Sequence, residues 1–337
     1  MSRGAAEKVV WDADFAGGFT TTGPGARWWY YAQQPYVGDD GHVTTSEQGL
    51  RVVSGGVNPA TGEPAFVRSL GQDHANGAGL PGEIDHVKWL AYANERAAGG
   101  MPGFDAVRGQ VLHFDTVFSG RTYGTAAHPF GKAVADPDSD LRLASAAAPI
   151  VDFESLIGVE FFLTNTKVYV FYERLPFGRE QLGDYAAFLY AVPVADRTPE
   201  DVHHCRVSYD RAAGTVRYLL EGEEVFRVDR LGHRLAGREY LMLDHGGEDM
   251  PAEPRQFAAG VGLFTVLDGA LPGHADSSGL VRLTPRREQY YSTRQGPPVP
   301  QTFVDPDSAE TCRLFGQGAE ATVASCTVSV SEADGGG

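Results

Sequence analysis

The chain is predicted to be all-β, a sandwich or barrel of antiparallel strands. Three observations carry this. Short strand-like runs bounded by Gly, Pro, Asp and Asn recur from end to end, which is the pattern of a sandwich or barrel. The 42 glycines and 20 prolines are spread along the chain without forming a repeat, as suits many strands joined by turns. Helical periodicity is scarce: Asp85–Ala98 is the best helical candidate, and its Trp89 and Tyr92 suit a strand as well.

The strand-like runs, in order, are Lys8–Phe15, Arg27–Gln33, Gly49–Val53, Gln110–Phe118, Leu156–Leu163, Lys167–Glu173, Tyr185–Pro193, His203–Tyr209, Thr215–Leu220, Glu224–Val228, Gln256–Leu267 and Leu280–Leu283. Short helical turns are expected at Glu180–Asp184 and Pro199–Val202. Residues 1–7 and roughly 329–337 read as loose ends, because Ser331-Glu332-Ala333-Asp334-Gly335-Gly336-Gly337 has nothing to bury. Residues 294–311 are rich in Pro and polar side chains. The expected organisation is therefore one β domain over residues 1–293 and a C-terminal arm over 294–337, packed on it and ending in a loose tail.

Composition narrows the partners. At 337 residues, 42% hydrophobic and 21% charged, the chain has a globular balance and length for a large core. A formal charge of −16 makes nucleic acid an unfavourable partner. No run of 18 apolar residues indicates a membrane span, and no secretory leader is visible, so a cytoplasmic location is expected. Three cysteines are too few for a disulfide framework. A bridge between Cys312 and Cys326 stays open, and Cys205 fits an apolar strand position.

Residues 158–175 are the most informative stretch. A turn at Asn165-Thr166 pairs Thr164 with Lys167, Leu163 with Val168, Phe162 with Tyr169, Phe161 with Val170, Glu160 with Phe171 and Val159 with Tyr172. Side chains alternate faces along a strand. Val159, Phe161, Leu163, Val168, Val170 and Tyr172 then share a core face. Glu160, Phe162, Tyr169, Phe171 and Glu173 share the other. Glu160 and Glu173 become diagonal neighbours, roughly 7–8 Å apart at the backbone. Such a face fits either a ligand cleft with Phe162, Tyr169 and Phe171 as its wall, or the wet side of an antiparallel sheet.

Two carboxylates roughly 6.5–9.5 Å apart suit inverting glycoside hydrolysis, and an aromatic setting raises one of their pKa values toward that of a general acid. Arg142 is polar within an apolar alternation and is a candidate oxyanion-side partner, or else an ion-pair partner of Asp140 or Glu173. His128, the other candidate catalytic residue on the oxyanion side, lies with Tyr123 in the Gly-rich stretch Arg121–Gly131 after a strand, where binding residues concentrate. In Trp28-Trp29-Tyr30-Tyr31 the aromatics alternate faces, one pair for the core and one for a groove. Trp28 and Tyr30 are expected to line the groove. No His-Glu-x-x-His, Cys-x-x-Cys, P-loop, dinucleotide glycine pattern or Gly-x-Ser-x-Gly occurs, so no metal and no cofactor is expected.

A second hairpin runs through His203–Asp210, a turn at Arg211–Gly214, and Thr215–Leu220 into Glu221-Gly222-Glu223-Glu224-Val225. With the late apolar run Gln256–Thr265, this pattern resembles the concanavalin A-like lectin/glucanase superfamily over about residues 105–285. The resemblance implies a two-sheet jelly roll whose concave face carries the ligand site. The glucanases of that superfamily carry Glu-x-Asp-x-x-Glu on one strand. Here Asp152, Glu154 and Glu160 have the right chemistry in a different spacing, so glucanase activity is not carried over.

The reading that follows is an intracellular enzyme of small-molecule metabolism, a cyclase, isomerase or hydrolase. Glu160 or Glu173 would be its general acid or base, and the ligand would be largely apolar or glycosylated. The alternatives are a carbohydrate-active glycosidase or lectin-like protein, and a binding protein without chemistry.

Overall fold

A computed structural model describes residues 7–33, 35–70, 82–274, 277–291 and 298–333. The jelly-roll expectation holds: two antiparallel sheets face each other. The first is ordered Glu223–Val228, Thr215–Leu220, His203–Asp210, Gln110–Tyr123, Gly318–Glu332, Gly49–Ser54 and Gly41–Ser46, with Lys8–Ala13 also paired to Gly318–Glu332. The second runs Trp28–Tyr30, Val87–Ala93, Gln256–Phe264, Ser145–Ala148, Ile157–Leu163, Lys167–Arg174, Phe188–Asp196 and Leu241–Asp244.

The main core lies between the sheets. Leu112, Phe114, Val207, Tyr209, Tyr218 and Val323 of the first meet Val159, Phe161, Leu163, Val170, Phe257 and Leu263 of the second. Tyr218 reaches across: its ring meets Phe161 edge-on at 5.7 Å and its hydroxyl donates to the Phe171 carbonyl at 2.6 Å. A buried hydroxyl is acceptable there because it has this partner.

The opposite face of the second sheet is buried as well. Leu90, Tyr92, Phe162, Tyr169, Phe171 and Phe264 form a separate cluster there, covered by connecting segments. Strands buried on both faces carry apolar residues at nearly every position, and Ile157–Leu163 is buried throughout.

Several points that the sequence left open or led one to expect otherwise are decided by the structure. The Asp85–Ala98 segment is a 3-10 turn, Gly82–His86, followed by the strand Val87–Ala93. Trp89 and Ala91 enter the main core while Leu90 and Tyr92 enter the second cluster, a period of two that a helix would not give. The C-terminal segment is no arm. The expected division after residue 293 falls outside the described residues, but Gly318–Glu332 is a central strand with partners on both sides. Its alternating Ala319, Ala321 and Val323 are fully buried, which requires neighbouring strands. Within the expected loose tail, residues 329–332 belong to this strand; residues 1–6 and 334–337 lie outside the described residues. Cys205, Cys312 and Cys326 are all free thiols, so no bridge joins Cys312 to Cys326. The expected turn at Glu180–Asp184 is the short helix Arg179–Leu182, whereas Pro199–Val202 forms no helix.

Candidate functional site

The hairpin takes the register read from its sequence. Glu160 pairs with Phe171, Phe162 with Tyr169, Val159 with Tyr172, and Gly158 with Glu173. Glu160 and Glu173 are therefore diagonal neighbours on the face turned away from the other sheet. That face borders a cavity of about 380 Å³, within the usual size for small-molecule sites. Both carboxylates line it, with Trp29, Tyr31, Phe153, Phe162, Phe171 and Phe177 among its aromatic walls and His86, His245 and Gln33 among its few polar side chains.

The carboxyls are close. A Cβ on Gly158 would lie 2.7 Å from Glu173 Oε1 and 3.1 Å from Glu160 Oε1. One oxygen of each carboxyl therefore lies no further from the other than the sum of those distances. The absent side chain at Gly158 makes the space in which they meet.

Burial dominates the electrostatics. Glu160 is 4% exposed and sits beside the Phe162–Phe171 stack, whose centroids are 3.7 Å apart with planes 9° from parallel. Apolar rings in place of water disfavour the charged form. The Glu160 carboxyl is held well above the ordinary carboxylate range by this desolvation, and further by the charge of Glu173. Glu173 is partly accessible through the cavity. Burial pushes it up to about 7, and His86 opposes that rise.

Two histidines flank the pair, neither of them anticipated as site residues. His86 ends the turn before Val87–Ala93 and its Nε2 lies 2.5 Å from Asp268 Oδ1. Asp268 is fully buried and accepts a second bond from the Tyr290 hydroxyl at 2.8 Å; desolvation would raise its pKa, but His86 and Tyr290 hold it below the usual range. His245 Nδ1 donates to the Gln289 carbonyl at 3.0 Å, and burial pushes this ring down to about 4, so it is neutral. The neighbouring Asp85-His86 and Asp244-His245 pairs in the sequence carry no signal for these contacts, because Asp268 is far along the chain.

The remaining site expectations divide. Phe162 and Phe171 line the cavity as anticipated. Tyr169 shares their face but stands outside the cavity wall, its hydroxyl donating to the Ser139 carbonyl at 2.9 Å. The aromatic run has the opposite facing to the one expected. Trp28 is in the main core against Trp11 and Phe15, and Tyr30 packs against that core. Trp29 and Tyr31 line the cavity instead; Trp29 stacks on Tyr92 at 5.2 Å and Tyr31 on Phe153 at 6.5 Å. Alternation told the pairs apart but not which sheet face was which.

Arg142, His128 and Tyr123 are not in the cavity wall. Arg142 is fully buried in a fork with Asp140, at 2.8 and 2.6 Å, and also donates to the carbonyls of Ala133 and Ser278. It pins loops. His128 Nδ1 accepts from the Phe130 amide at 3.2 Å, and its ring lies parallel to that of Phe130. The Tyr123 hydroxyl donates to Glu320 at 2.8 Å on the first sheet. Asp152 is also structural: it accepts from Ser155 and from Gln256. Glu154 pairs with Arg255. Among the described residues no three His, Cys, Asp or Glu side chains converge to hold a metal ion.

A family model described as "Family of unknown function (DUF6081)" matches residues 12–332. The uncharacterized protein L829 of Acanthamoeba polyphaga mimivirus is 26% identical, over 70% of this chain and 73% of its own length. Similar solved structures include Crh5 transglycosylase in complex with NAG, at 12% identity over 98% of this chain and 89% of that one with a TM-score of 0.41. The κ-carrageenase from Pseudoalteromonas carrageenovora with a κ-carrageenan oligotetrasaccharide gives 10%, 98%, 97% and 0.41. SCLam, a non-specific endo-β-1,3(4)-glucanase from family GH16, gives 10%, 99%, 94% and 0.40. Likeness at this level is one of sheet architecture and transfers no site.

Proposed function

This chain belongs to the family of unknown function DUF6081, and for it we propose a hydrolase that cleaves the glycosidic bond of a small glycoside with a largely apolar body. The observation that carries this reading is the carboxyl pair: two glutamates diagonal across one hairpin, enclosed by aromatic rings whose desolvation raises both carboxyls above the ordinary range. Glycoside hydrolysis needs a proton donor and a carboxylate close together. The proximity set by Gly158 fits a nucleophile better than a water-activating base.

In this mechanism Glu160, which burial keeps protonated, gives its proton to the leaving oxygen. Glu173 as carboxylate attacks the anomeric carbon, the C–O bond breaks, and a glycosyl ester forms. Glu160, now ionised, takes a proton from water as that water displaces Glu173. Trp29, Tyr31 and Phe153 offer flat apolar surface to sugar and aglycone. Enclosure strengthens the electrostatic interactions inside the site by excluding solvent.

A specific observation favours a second reading, a proton-transfer cyclase or isomerase. Few polar side chains line the cavity, fewer than the hydroxyls of a bare oligosaccharide need. The similar solved structures named above are carbohydrate enzymes and lend this second reading no support.

The test is a panel of aryl and alkyl glycosides with wild type, Glu160→Gln and Glu173→Gln. Turnover with retained anomeric configuration is expected. Glu173→Gln should abolish it, and Glu160→Gln should lower it about 10²–10⁴-fold on alkyl leaving groups while sparing nitrophenyl ones. Equal turnover by Glu173→Gln and wild type would refute the assignment.

A further inference from the structure

Few polar side chains line the cavity, and several of their polar atoms already have partners within the protein. Trp29 Nε1 donates to the Ala93 carbonyl at 3.3 Å, and the Gln33 amide donates to the Tyr31 hydroxyl at 3.0 Å. His245 keeps one ring nitrogen unused. We propose that His245 Nε2 is a hydrogen-bond acceptor facing the cavity, and that it selects ligands carrying a hydroxyl or N–H on the Leu243 side of that cavity. His245 is a specificity-determining residue in this assignment. It rests on the cavity being the ligand site of the proposed hydrolase, but it holds whichever bond the carboxyls act on.

The topology places this ring on the carboxyl face. Glu173 pairs with Leu189, and Leu189 pairs with Leu243, so the three stand in one row across adjacent strands. All three line the cavity. Residues two apart along an extended chain share a face, and His245, two residues beyond Leu243, lines the cavity as well. Leu243 stands two strand spacings from Glu173, roughly 10 Å. One ligand can therefore touch the carboxyl pair at one end and His245 at the other.

The hydrogen bonds fix the tautomer. A carbonyl oxygen only accepts, so the 3.0 Å contact between Nδ1 and the Gln289 carbonyl puts the ring hydrogen on Nδ1. The neutral ring then has a lone pair and no hydrogen at Nε2. A second proton is disfavoured. The residue is 5% exposed, and its backbone carbonyl accepts from the Arg179 guanidinium at 2.8 Å. Burial pushes the ring down to about 4. Asp268, the carboxylate near it, is engaged by His86 and Tyr290. Nε2 has no hydrogen-bond partner among the described residues. His203 Nε2 is also unpartnered but sealed inside the protein, whereas His245 Nε2 is not sealed, and the space His245 borders is the cavity. The ring is also held in place. Its backbone amide donates to the Ala187 carbonyl at 2.9 Å, and Tyr290 lies against it at 6.0 Å. An acceptor enclosed by a ligand that brings no donor loses its hydration without replacement. A hydroxyl or N–H is thus favoured there over an ether or a methyl.

The experiment uses two probes, β-naphthol and its methyl ether, which share an apolar body and differ in the donor. Neither has a glycosidic bond. In protein labelled with ¹⁵N at histidine, long-range proton–nitrogen NMR near neutral pH should show His245 protonated at Nδ1 and bare at Nε2. β-Naphthol should move the Nε2 signal and the ether should leave it in place. Calorimetry gives the ratio of the two dissociation constants. That ratio should favour β-naphthol about tenfold more in wild type than in His245→Phe, and His245→Gln, whose amide oxygen can accept, should recover part of the preference. If His245→Phe does not fold, the wild-type nitrogen signals carry the test. A hydrogen on Nε2 in the free protein, an Nε2 signal unmoved by β-naphthol, or the same ratio in wild type and folded His245→Phe would each overturn the proposal, as would failure of both probes to bind. A His245-dependent preference in a protein that cleaves no glycoside would uphold it while refuting the hydrolase reading. Glycoside cleavage without that preference would do the reverse.

Discussion

Gly158 and Glu173 face each other across the hairpin, and the Glu173 carboxyl fills the space that a side chain on Gly158 would need. A Cβ there would come within 2.6 Å of Glu173 Cγ and 3.1 Å of Glu160 Oε1. The glycine is what admits two carboxyls to one patch of a fully packed sheet.

Gly158→Ala should therefore separate the pair. The added methyl meets the Glu173 side chain first, so the expected cost is about 1–3 kcal/mol of stability, with loss of turnover out of proportion to it. Thermal denaturation and ligand binding measured on the same variant check this.

Stability should depend on pH through the same pair. The folded-state pKa values of Glu160 and Glu173 are raised by burial. Their contribution to stability is thus fully present below the unfolded glutamate value of roughly 4.3 and is lost as pH rises through about 7 and beyond. Glu173→Gln has no proton to lose. Compared with wild type it should be more stable by about 1–3 kcal/mol at pH 8 and no more stable at pH 4.5. Melting curves across that window, the two proteins side by side, decide it; a constant difference would show that the carboxyl is not desolvated.

Trp28 and Trp29 should separate stability from binding. Trp28 lies in the main core and is 2% exposed, so Trp28→Ala should cost about 3–5 kcal/mol. Trp29 faces the cavity, and Trp29→Ala should cost less stability and more ligand affinity. Denaturant midpoints and a binding isotherm for each variant distinguish them.

Arg142→Ala should unfold the protein more readily without altering the chemistry. It leaves Asp140 buried without its guanidinium, a loss of about 3–5 kcal/mol. If the folded fraction of this variant turned over poorly, Arg142 would have a role in the site that its contacts do not show.

Much of this was legible in the hairpin. Period-two alternation and a two-residue turn fix which residues oppose one another, so Glu160 opposite Phe171 and the diagonal Glu160–Glu173 relationship follow from local pattern alone. The reach of a strand pattern ends at its own partner. Lys167–Arg174 is bordered by Phe188–Asp196, and the cavity wall is finished by Trp29, Phe153 and His86 from distant segments. Arg142 in an apolar alternation signalled burial, but a buried guanidinium serves a site or a loop equally well until its partner is known.

The amino-acid sequence by itself determined the fold class, the hairpin register and the pairing of its carboxyls, because these depend on backbone alternation and turn chemistry within short spans. The tertiary structure alone decided that the carboxyl face is enclosed and not wet, that Trp29 and Tyr31 face it, that Gly318–Glu332 is a central strand, and that Asp268 meets His86. Each of these is a long-range contact. Each exists only once the sheets have closed, because desolvation and charge pairing depend on which distant segments exclude the water.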